Sequence, residues 1–539
     1  MVDNAAVVGA GPNGLAAAVT LARAGVPVTV FETADTIGGG TRTRELVAPG
    51  VLHDVCSAIH PMALATGFFR AFELTRRMDF AVPVASYANP LDDGPGRAAA
   101  RGAGRPAAIA YRDLGRTVAE LGVDGPSYAR YYRPLLEHLE EVLDFGLGGS
   151  MLRIPGTGPG PAHLRLPGTE GSDPSAGGGL GAAVANLGSG IRGAAAGTLA
   201  TGLRALEQGT YLWNLRFAED AAPALISGVA AHSIGTMPSL ATAAVGVMLG
   251  ALGHASGWPV PIGGSRAITD ALAADLLAHG GVIETGHQVT GLDELAGFHV
   301  KVFDTSAAGL EAIAGDALPA GYRRALRRQR FGNGATKVDF VLDGPIPWAD
   351  ERVHQAPTVH LGGTRAEAAT AERTVARGRH PGRPYVLLAQ PTAFDPGRNP
   401  AGVHAVWSYT HVPAGSMVDV SRQVVAQIER FAPGFTDRIV DMRVTTAAEL
   451  EAYNENYVGG DFSAGAVTMR QLLARPVLSG DPWRIPARGG GLGASSGAGI
   501  YLGSSATPPG PGVTGLPGWY AALSALEHDY HLPTPHLGL

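Results

Sequence analysis

The chain has 539 residues, of which 45% are hydrophobic and 16% are charged, and its formal net charge is -6. This length is sufficient for two or three domains, and the composition favours a large buried core over global disorder. A negative net charge disfavours sequence-independent binding to nucleic acid, which needs a basic surface, so we expect no nucleic-acid partner. The one cysteine, Cys56, excludes an internal disulfide framework and a dithiol redox pair, which fits a cytoplasmic protein.

The N-terminus has the pattern of a strand, a glycine-rich turn, a helix and a second strand. Ala5–Val8 is a short apolar run, Leu15–Ala24 is rich in Ala and Leu, and Val28–Phe31 is rich in β-branched residues. Gly25 is placed to end the helix. Such an alternation is typical of the first unit of a parallel α/β sheet.

The turn between strand and helix carries the spacing GxGxxG of dinucleotide-binding proteins. Gly9 permits the tight turn, Gly11 lets the backbone approach a pyrophosphate, and Gly14 lets the helix pack closely on the strand. The phosphates would lie at the positive end of the helix that begins near Asn13. Glu32, about twenty residues further on, can accept both hydrogen bonds of an adenosine ribose. The motif therefore predicts a bound dinucleotide.

A second match to the same spacing, Gly188–Gly193, follows no strand and has no acid behind it. We interpret it as a chance match in Gly/Ala-rich sequence. We therefore predict a single dinucleotide site and expect NADPH to be a poor direct reductant of the protein.

The fingerprint does not distinguish NAD from FAD, and the segment that follows Glu32 favours FAD. Ile37–Thr43 is similar to the diglycine motif of flavoproteins with two dinucleotide-binding folds. Backbone amides near Gly38 and Gly39 would approach the pyrophosphate again, and Arg42 can add positive charge there. The alternative is an ordinary surface loop.

Two more distant segments have the pattern of further pieces of the same site. Gly499–Ser504 is predicted to be a core strand, and a Pro/Gly turn then leads to a helix at Trp519–Leu526. The N-terminus of that helix can stabilise negative charge on a reduced flavin, although an ordinary strand–helix unit fits the pattern equally well. Trp258–Ser265 precedes an amphipathic helix and a strand that leads to Val289, where flavoproteins of this type contact the adenine end of FAD.

Together these motifs resemble the phytoene desaturase-like flavoproteins, and within them the branch described as pyridine nucleotide-disulphide oxidoreductase domain-containing protein 2. The resemblance covers nearly the whole chain, and its more specific elements are His53–Pro61, Lys337–Phe340, Asp343–Trp348 and Asn456–Asp461. The branch name misleads for this chain, because a single cysteine cannot form the redox disulfide that it mentions. One departure is visible: Thr514-Gly515 stands where relatives often carry His-Gly, which puts histidine chemistry at that turn in doubt.

The resemblance implies an α/β fold with a doubly wound, Rossmann-like FAD-binding domain built from discontinuous segments. A mixed-sheet substrate domain and a helical cap are inserted into it. The expected boundaries are 1–90, 255–310 and 488–539 for the FAD-binding segments, 91–254 for the cap and 311–487 for the substrate domain. We expect loops or insertions at 92–105, 156–193 and 488–499 and a helix over 128–147.

The residues expected to hold FAD come from all three of its segments. They are Gly9, Gly11, Pro12, Asn13, Gly14, Glu32, Gly38, Gly39, Thr41, Arg42, Val289, Gly503, Gly512, Val513 and Thr514. The candidates for catalysis are His60, which follows the diglycine motif, and Lys337, which can hold a water near flavin N5 as in amine oxidases. The alternatives are a structural role for His60 and a surface position for Lys337, and no metal site is expected.

The implied activity is oxidation, reduction or isomerisation of carbon–carbon double bonds in an apolar, polyene-like substrate, by hydride transfer at flavin N5. A flavin amine oxidase on the same scaffold and a non-catalytic FAD-binding partner protein are the alternatives. The charge-free stretch 221–265 predicts a buried helix or the wall of an apolar cavity rather than a membrane-spanning helix. Within it, 226–258 is expected to form part of an uncharged substrate channel or simply to fill the core. Peripheral membrane contact and the oligomeric state stay open.

Overall fold

The structure is a computed structural model that describes residues 3–92, 107–148, 196–486 and 499–539. The loops predicted at 92–105, 156–193 and 488–499 lie almost entirely outside these residues. The second glycine match at 188–193 also lies outside them.

Five parallel strands form the first sheet, and they come from three distant parts of the chain. In spatial order they are β16 (Gly499–Leu502), β10 (Val300–Phe303), β1 (Ala5–Val8), β2 (Val28–Glu32) and β9 (Val282–Thr285). The discontinuous, doubly wound domain predicted from the sequence is therefore confirmed. Strand β1 has β2 on one side and β10 on the other, so the direction of winding changes beside it, and ligands of such sheets bind at that point.

Both faces of this sheet are covered, because alternate residues of each strand point to opposite sides. Helices α1 (Pro12–Arg23), α9 (Arg266–Ala278) and α16 (Leu516–Ala525) pack on the side of Val7 and Val302. Helices α10 (Ala307–Ala314) and α11 (Ala320–Arg327) pack on the other side. This burial on both faces explains the continuous apolar runs in the strands.

Seven strands form the second sheet. In spatial order they are β15 (Ile439–Thr445), β11 (Gly334–Leu342), β14 (His404–Val412), β13 (Val386–Ala389), β12 (Thr358–Leu361), β6 (Ala85–Pro90) and β7 (Ala107–Tyr111). Only the β12–β6 pair is parallel, so the predicted mixed sheet is confirmed. Strand β6 lies within the segment 1–90 that was assigned to the cofactor domain, yet it pairs with β12 of the second sheet.

The two faces of the second sheet differ in chemistry. One face carries Val338, Phe340 and Val406 and packs against helix α13 (Ser421–Phe431), forming a separate apolar core. The opposite face carries the alternate residues of the same strands. Among them are Lys337 of β11 and, directly across from it on β14, Tyr409. That face carries the Lys337–Asp339 ion pair and the aromatic residues Tyr385, Trp407 and Tyr409.

The remaining elements connect the two sheets or form the cap. Two short antiparallel pairs are β3 (Thr43–Glu45) with β4 (Leu52–Asp54) and β5 (Phe80–Ala81) with β8 (Val260–Pro261). The other helices are α2 (Gly67–Ala71), α3 (Leu114–Glu120), α4 (Gly125–Glu137), α5 (Leu139–Leu147), α6 (196–208), α7 (Ala221–Ala230), α8 (Leu240–Ala255), α12 (Arg365–Ala376), α14 (Ala447–Tyr453) and α15 (Met469–Leu473).

Helices α7 and α8 account for most of the charge-free stretch 226–258, and they pack against each other. The helix expected over 128–147 divides into α4 and α5 at His138. Within the described ranges, no helix combines the length and the apolarity needed to cross a membrane.

Because the backbones of α1 and α16 are in contact, one methyl group added between the two helices is predicted to destabilise the fold strongly. A Cβ added to Gly518 in α16 would lie 1.8 Å from the carbonyl oxygen of Asn13, which is a backbone atom that cannot move without shifting α1. We expect Gly518→Ala to lower the free energy of unfolding by about 2 kcal/mol or more. The matched control is Gly321→Ala in α11, where an added Cβ meets nothing within 4 Å. It should be neutral or slightly stabilising in urea denaturation, and equal effects of the two changes would contradict the packing.

Candidate functional site

The glycine-rich turn brings the start of α1 against the ends of β1 and β10. Gly9 has a φ of 104°, and a Cβ on Gly14 would lie 2.0 Å from the Gly9 carbonyl oxygen, so neither position accepts a side chain without a shift of the backbone. Pro12 occupies the first turn of the helix, where a missing N–H costs nothing. The amide of Asn13 lies in the same first turn and has no acceptor within the helix. The Asn13 Oδ1 atom is buried and has no hydrogen-bond partner among the described residues.

An acidic side chain that the sequence analysis did not identify also lies at this turn. Asp304 directly follows β10, and its Oδ2 accepts a hydrogen bond from the Gly14 amide at 2.8 Å. A Cβ on Gly11 would lie 2.6 Å from the same oxygen. Burial raises the pKa of the Asp304 carboxyl to about 7, and the charge of Glu32 adds to this increase. Near pH 7, a partly protonated carboxyl therefore lies at the N-terminus of α1, which is the helix end that attracts anions.

Glu32 ends β2 and lies beside the same turn. Its carboxylate accepts hydrogen bonds from the amides of Ala10 and Ala34, both at 2.9 Å. The Arg42 guanidinium lies 3.1 Å from Glu32 and also donates to the carbonyl of Thr36 at 2.7 Å. Arg42 therefore fixes the position of Glu32 and of the loop behind it. The sequence analysis had assigned its charge to the pyrophosphate.

The diglycine loop lies against the glycine-rich turn. Gly38 and Gly39 have positive φ angles of 116° and 51°, the Gly38 amide donates to the Ala10 carbonyl at 2.9 Å, and a Cβ on Gly39 would lie 3.1 Å from Cα of Gly11. Thr41 is fully buried and donates from Oγ1 to the Gly38 carbonyl at 2.7 Å.

Val289, which was predicted to contact the adenine end of FAD, also lies near Glu32. The amide of His287 donates to the Glu32 carbonyl at 2.9 Å, which holds the segment leading to Val289 beside the end of β2. Val289 itself is buried in the apolar cluster that contains Val8 and Phe31.

The C-terminal turn meets the same region from the other side. Gly515 precedes α16 with a φ of 68°, and a Cβ there would collide with Phe68 and Ala16. The buried Thr514 accepts a hydrogen bond at its carbonyl from Thr66, and a Cβ on Gly512 would lie 2.3 Å from Met62. Val513 is half-buried against the main core, whereas Gly503 lies under α16, where a Cβ would meet Ala521 at 2.9 Å. Gly503 therefore has a packing role.

Lys337 lies on the face of the second sheet that is directed away from the apolar core of Val338 and Phe340, and it is 3% exposed. Its Nζ lies 3.0 Å from Asp339 Oδ2, donates to the Asp54 carbonyl at 3.0 Å, and stands 5.6 Å from the centroid of the Trp407 ring. Burial raises the pKa of Asp339, which the positive charge of Lys337 partly offsets. The surface-lysine alternative is thus wrong, since this lysine belongs to a buried ion pair.

Cys56 and Tyr457 connect this ion pair to the diglycine loop. A Cβ on Gly40 would lie 2.7 Å from the Tyr457 hydroxyl and 3.9 Å from Cys56 Sγ. Burial raises the pKa of the Cys56 thiol, while the nearby charge of Lys337 acts in the opposite direction. Lys337 is therefore a neighbour of the loop that follows Glu32.

His60 belongs to a buried network that joins several segments. Its Nε2 lies 2.8 Å from Ser265 Oγ, and the Ser265 amide donates to Asp54, whose carboxylate pairs with Arg398 at 2.8 Å. Burial lowers the pKa of His60 to about 4, so its imidazole is neutral near pH 7. This arrangement favours the structural role over acid–base chemistry.

The residues present fit a bound dinucleotide. The glycine-rich turn and the diglycine loop form a cradle that side chains would fill, and the amide and the buried Oδ1 of Asn13 suit the polar groups of such a ligand. In the described part of the chain, no group of three or more His, Cys, Asp or Glu side chains is placed to hold a metal ion.

Comparison with known proteins agrees with this geometry. Residues 7–72 match the family model described as "NAD(P)-binding Rossmann-like domain". The chain carries a Rossmann-like dinucleotide-binding domain. Beyond it, the chain is 25% identical to rat and mouse proteins named "Pyridine nucleotide-disulfide oxidoreductase domain-containing protein 2", over 96% of this chain and 92% of each relative.

Solved structures extend the likeness to the whole fold. Putrescine oxidase bound to putrescine superposes with a TM-score of 0.55 at 14% identity, covering 97% of this chain and 99% of that one. Cyclohexylamine oxidase from Brevibacterium oxydans gives a TM-score of 0.54 at 13% identity, covering 98% and 100% of the two chains. At these identities the likeness establishes a shared fold, in which the Rossmann-like domain is joined to a second sheet.

The raised pKa of Asp304 predicts how stability depends on pH. Between about pH 4 and pH 7 the carboxyl is protonated in the folded chain and ionised in the unfolded chain, so its contribution to stability is lost as pH rises through this window. Relative to Asp304→Asn, the free energy of unfolding of the wild type should fall by up to about 1.4 kcal/mol for each pH unit. Urea denaturation at pH 5 and pH 7 measures this difference, with the exposed Asp437→Asn as the control for the loss of one charge. An equal pH dependence in the wild type and Asp304→Asn would contradict the assigned pKa.

Proposed function

We propose that the chain is an FAD-dependent oxidoreductase that acts on carbon–carbon bonds of an apolar substrate. The observation that carries the proposal is the convergence of three distant segments on one end of α1. The glycine-rich turn, the diglycine loop at Gly38 and Gly39, and the C-terminal turn before α16 all meet there. An NAD site needs only the first of these, whereas FAD has a second phosphate contact and a flavin ring to be held.

The contacts described above suggest a separate role in FAD binding for each segment. Glu32 would hold the ribose, and the amide of Asn13 in the first turn of α1 and the backbone of the diglycine loop at Gly39 would approach the pyrophosphate. The N-terminus of α16 would face the flavin ring and favour negative charge on it. When bound there, FAD supplies hydride transfer at N5.

The groups of this chain that would face the substrate are apolar, aromatic or positive. A buried cluster of small and aromatic residues beside Lys337 includes Ala58 and, from the second sheet, Trp407 and Tyr409. Such a layer excludes water and favours an apolar substrate, by about 25 cal/mol for each Å² of apolar surface buried. Lys337, in its pair with Asp339, presents its ammonium group to this layer.

A flavin amine oxidase is the second candidate. Lys337 beside the Trp407–Tyr409 pair, whose rings lie 5.2 Å apart, favours it, as does the fold shared with two amine oxidases. Release of hydrogen peroxide when putrescine, cyclohexylamine or benzylamine is added to the purified protein would support amine oxidase activity.

The remaining alternative is a non-catalytic FAD-binding protein. It would be supported by bound flavin whose colour does not change with any reductant.

The proposed phosphate contact predicts that Gly11 cannot carry a side chain. We expect Gly11→Val to lose bound FAD, because the added carbons would meet Asp304 and fill the approach to the pyrophosphate. The control is Gly297→Val, at an exposed position where an added Cβ meets nothing within 4 Å. Flavin absorbance after desalting measures the outcome, and a Gly11→Val protein as yellow as the control would contradict the site.

The proposed position of Lys337 near the flavin predicts opposite shifts of reduction potential. Lys337→Met should lower the two-electron potential of bound FAD by roughly 30 mV, because a positive charge no longer stabilises the reduced ring. Asp339→Asn should raise it by a similar amount, since the charge of Lys337 is then unopposed. Equilibration with redox dyes measures both. Unchanged potentials in two folded variants would place Lys337 away from the flavin.

A further inference from the structure

Asp304 places a carboxyl group in the cradle at the start of α1. Its Oδ2 accepts a hydrogen bond from the Gly14 amide at 2.8 Å, and a Cβ on Gly11 would lie 2.6 Å from the same oxygen. The residue directly follows β10, which pairs with β1, so the parallel sheet fixes it beside the first turn of the helix. A potential negative charge therefore stands where the helix favours a bound anion.

The surface of this cradle is accessible from outside. Gly9, Gly11, Pro12, Gly39 and Asp304 are each partly exposed. The diglycine loop touches the glycine-rich turn here, since a Cβ on Gly39 would lie 3.1 Å from Cα of Gly11. A ligand on this surface would meet the backbone of both glycine segments and the Asp304 carboxyl together.

Asn13 adds a second polar side chain at the same place. The residue is 4% exposed, and its side-chain amide hydrogen-bonds the Asp304 carboxyl. Its Oδ1 atom is buried and has no hydrogen-bond partner among the described residues. Because buried polar atoms are nearly always paired, this oxygen suits a hydrogen-bond donor that the described chain does not supply.

The charged groups around Asp304 do not neutralise it. Glu32 at the end of β2 is the negative charge that acts on it. Arg42 of the diglycine loop is held by Glu32 at 3.1 Å and by carbonyls of its own loop. Lys301, on the same strand as Asp304, donates to a backbone carbonyl before the strand, and Asn456, which accepts from the backbone just beyond Asp304, is uncharged. Within the described ranges Asp304 forms no ion pair.

A pyrophosphate and an ionised Asp304 are therefore in conflict. Burial raises the pKa of the Asp304 carboxyl to about 7, and the charge of Glu32 adds to the increase. A pyrophosphate diester remains doubly negative near neutral pH, and a like charge close to a carboxyl favours its protonated form. The neutral carboxyl has an O–H donor in addition to its acceptor oxygen, so protonation turns a repulsive group into one that can bind a phosphate oxygen.

We propose that Asp304 couples FAD binding to proton uptake: its carboxyl takes a proton from solvent as FAD binds and then donates a hydrogen bond to the pyrophosphate. The inference rests on the proposed FAD site and adds a pH control of that site. One proton moves from water to the carboxyl, and no bond of FAD is made or broken. Oδ2 continues to accept from the Gly14 amide while the other oxygen carries the proton. The chain then holds FAD most tightly below pH 7 and loses affinity as the pH rises through that value.

The first test measures FAD affinity by equilibrium dialysis of the purified, full-length holoprotein between pH 5.5 and pH 8.5. Above pH 7 the wild-type dissociation constant should rise by up to about tenfold for each pH unit. Asp304→Asn keeps the shape of the side chain without its charge, so its constant should change little with pH, and it should bind FAD more tightly than the wild type at pH 8.5. Asp437→Asn, at an exposed position, should follow the wild type.

The second test counts protons. FAD is titrated calorimetrically into the full chain freed of cofactor, in buffers that differ in their enthalpy of ionisation. The wild type should take up about half a proton at pH 7 and much less at pH 5.5, because the carboxyl is already protonated at the lower pH. Asp304→Asn should take up none at either pH.

The same pH dependence of FAD affinity in the wild type and a folded Asp304→Asn protein would overturn the inference, as would equal proton uptake by the two. If Asp304→Asn fails to fold, as judged by circular dichroism and melting temperature, the wild type alone decides. Uptake of about half a proton at pH 7 with affinity that falls above this pH would then support the coupling, and FAD binding without proton uptake would overturn it. Absence of FAD binding at every pH would instead overturn the proposed function, and the coupling with it.

Discussion

The close approach of backbone to backbone at the start of α1 is the constraint on which the rest of the structure depends. Gly14 brings the helix within contact of the Gly9 carbonyl, and Gly518 brings α16 onto the carbonyl of Asn13. The diglycine loop then rests on Gly11. Because none of these positions has room for a side chain, segments separated by hundreds of residues are held at one helix end. A site made in this way exists only when the whole chain is folded.

Buried charge determines the character of the site next to this contact. Lys337 and Asp339 neutralise each other beneath Trp407, and Arg398 is held between Asp54 and Asp395. Such pairs keep charged groups in a low-dielectric interior at fixed positions, and removing one partner leaves an unpaired buried charge. Asp304 and Arg365 depart from this pattern. One is a carboxyl at a helix end that attracts anions, and the other is a guanidinium beside an apolar recess.

Local motifs allowed the cofactor domain to be predicted well from the sequence. The strand, turn and helix at Ala5–Arg23 form where the glycine spacing indicated, because that spacing is a local requirement of the turn. The C-terminal strand and helix were also predicted, although α16 begins at Leu516 rather than Trp519. In contrast, β6 joined the second sheet, since short strands carry no local signal of their partner.

Groups whose role depends on distant contacts were harder to predict. Asp304 follows the strand next to β1, and the rule that ligands bind at the carboxyl ends of such strands could have identified it. The ion pair of Lys337 and Asp339 was visible only as two charges on alternate residues of one strand, which equally fits a solvated edge. Arg365 gave no signal in the sequence, because its hydrogen-bond partners Gln208 and Trp213 come from the cap.

The central claim is that the converging segments hold FAD, and the cofactor released from the native protein tests it most directly. The wild-type protein would be purified without added cofactor, desalted and denatured, and the released molecule would be identified and quantified by mass spectrometry. The account predicts close to one FAD for each chain. Release of NAD or NADP in that amount, with no flavin, would contradict it.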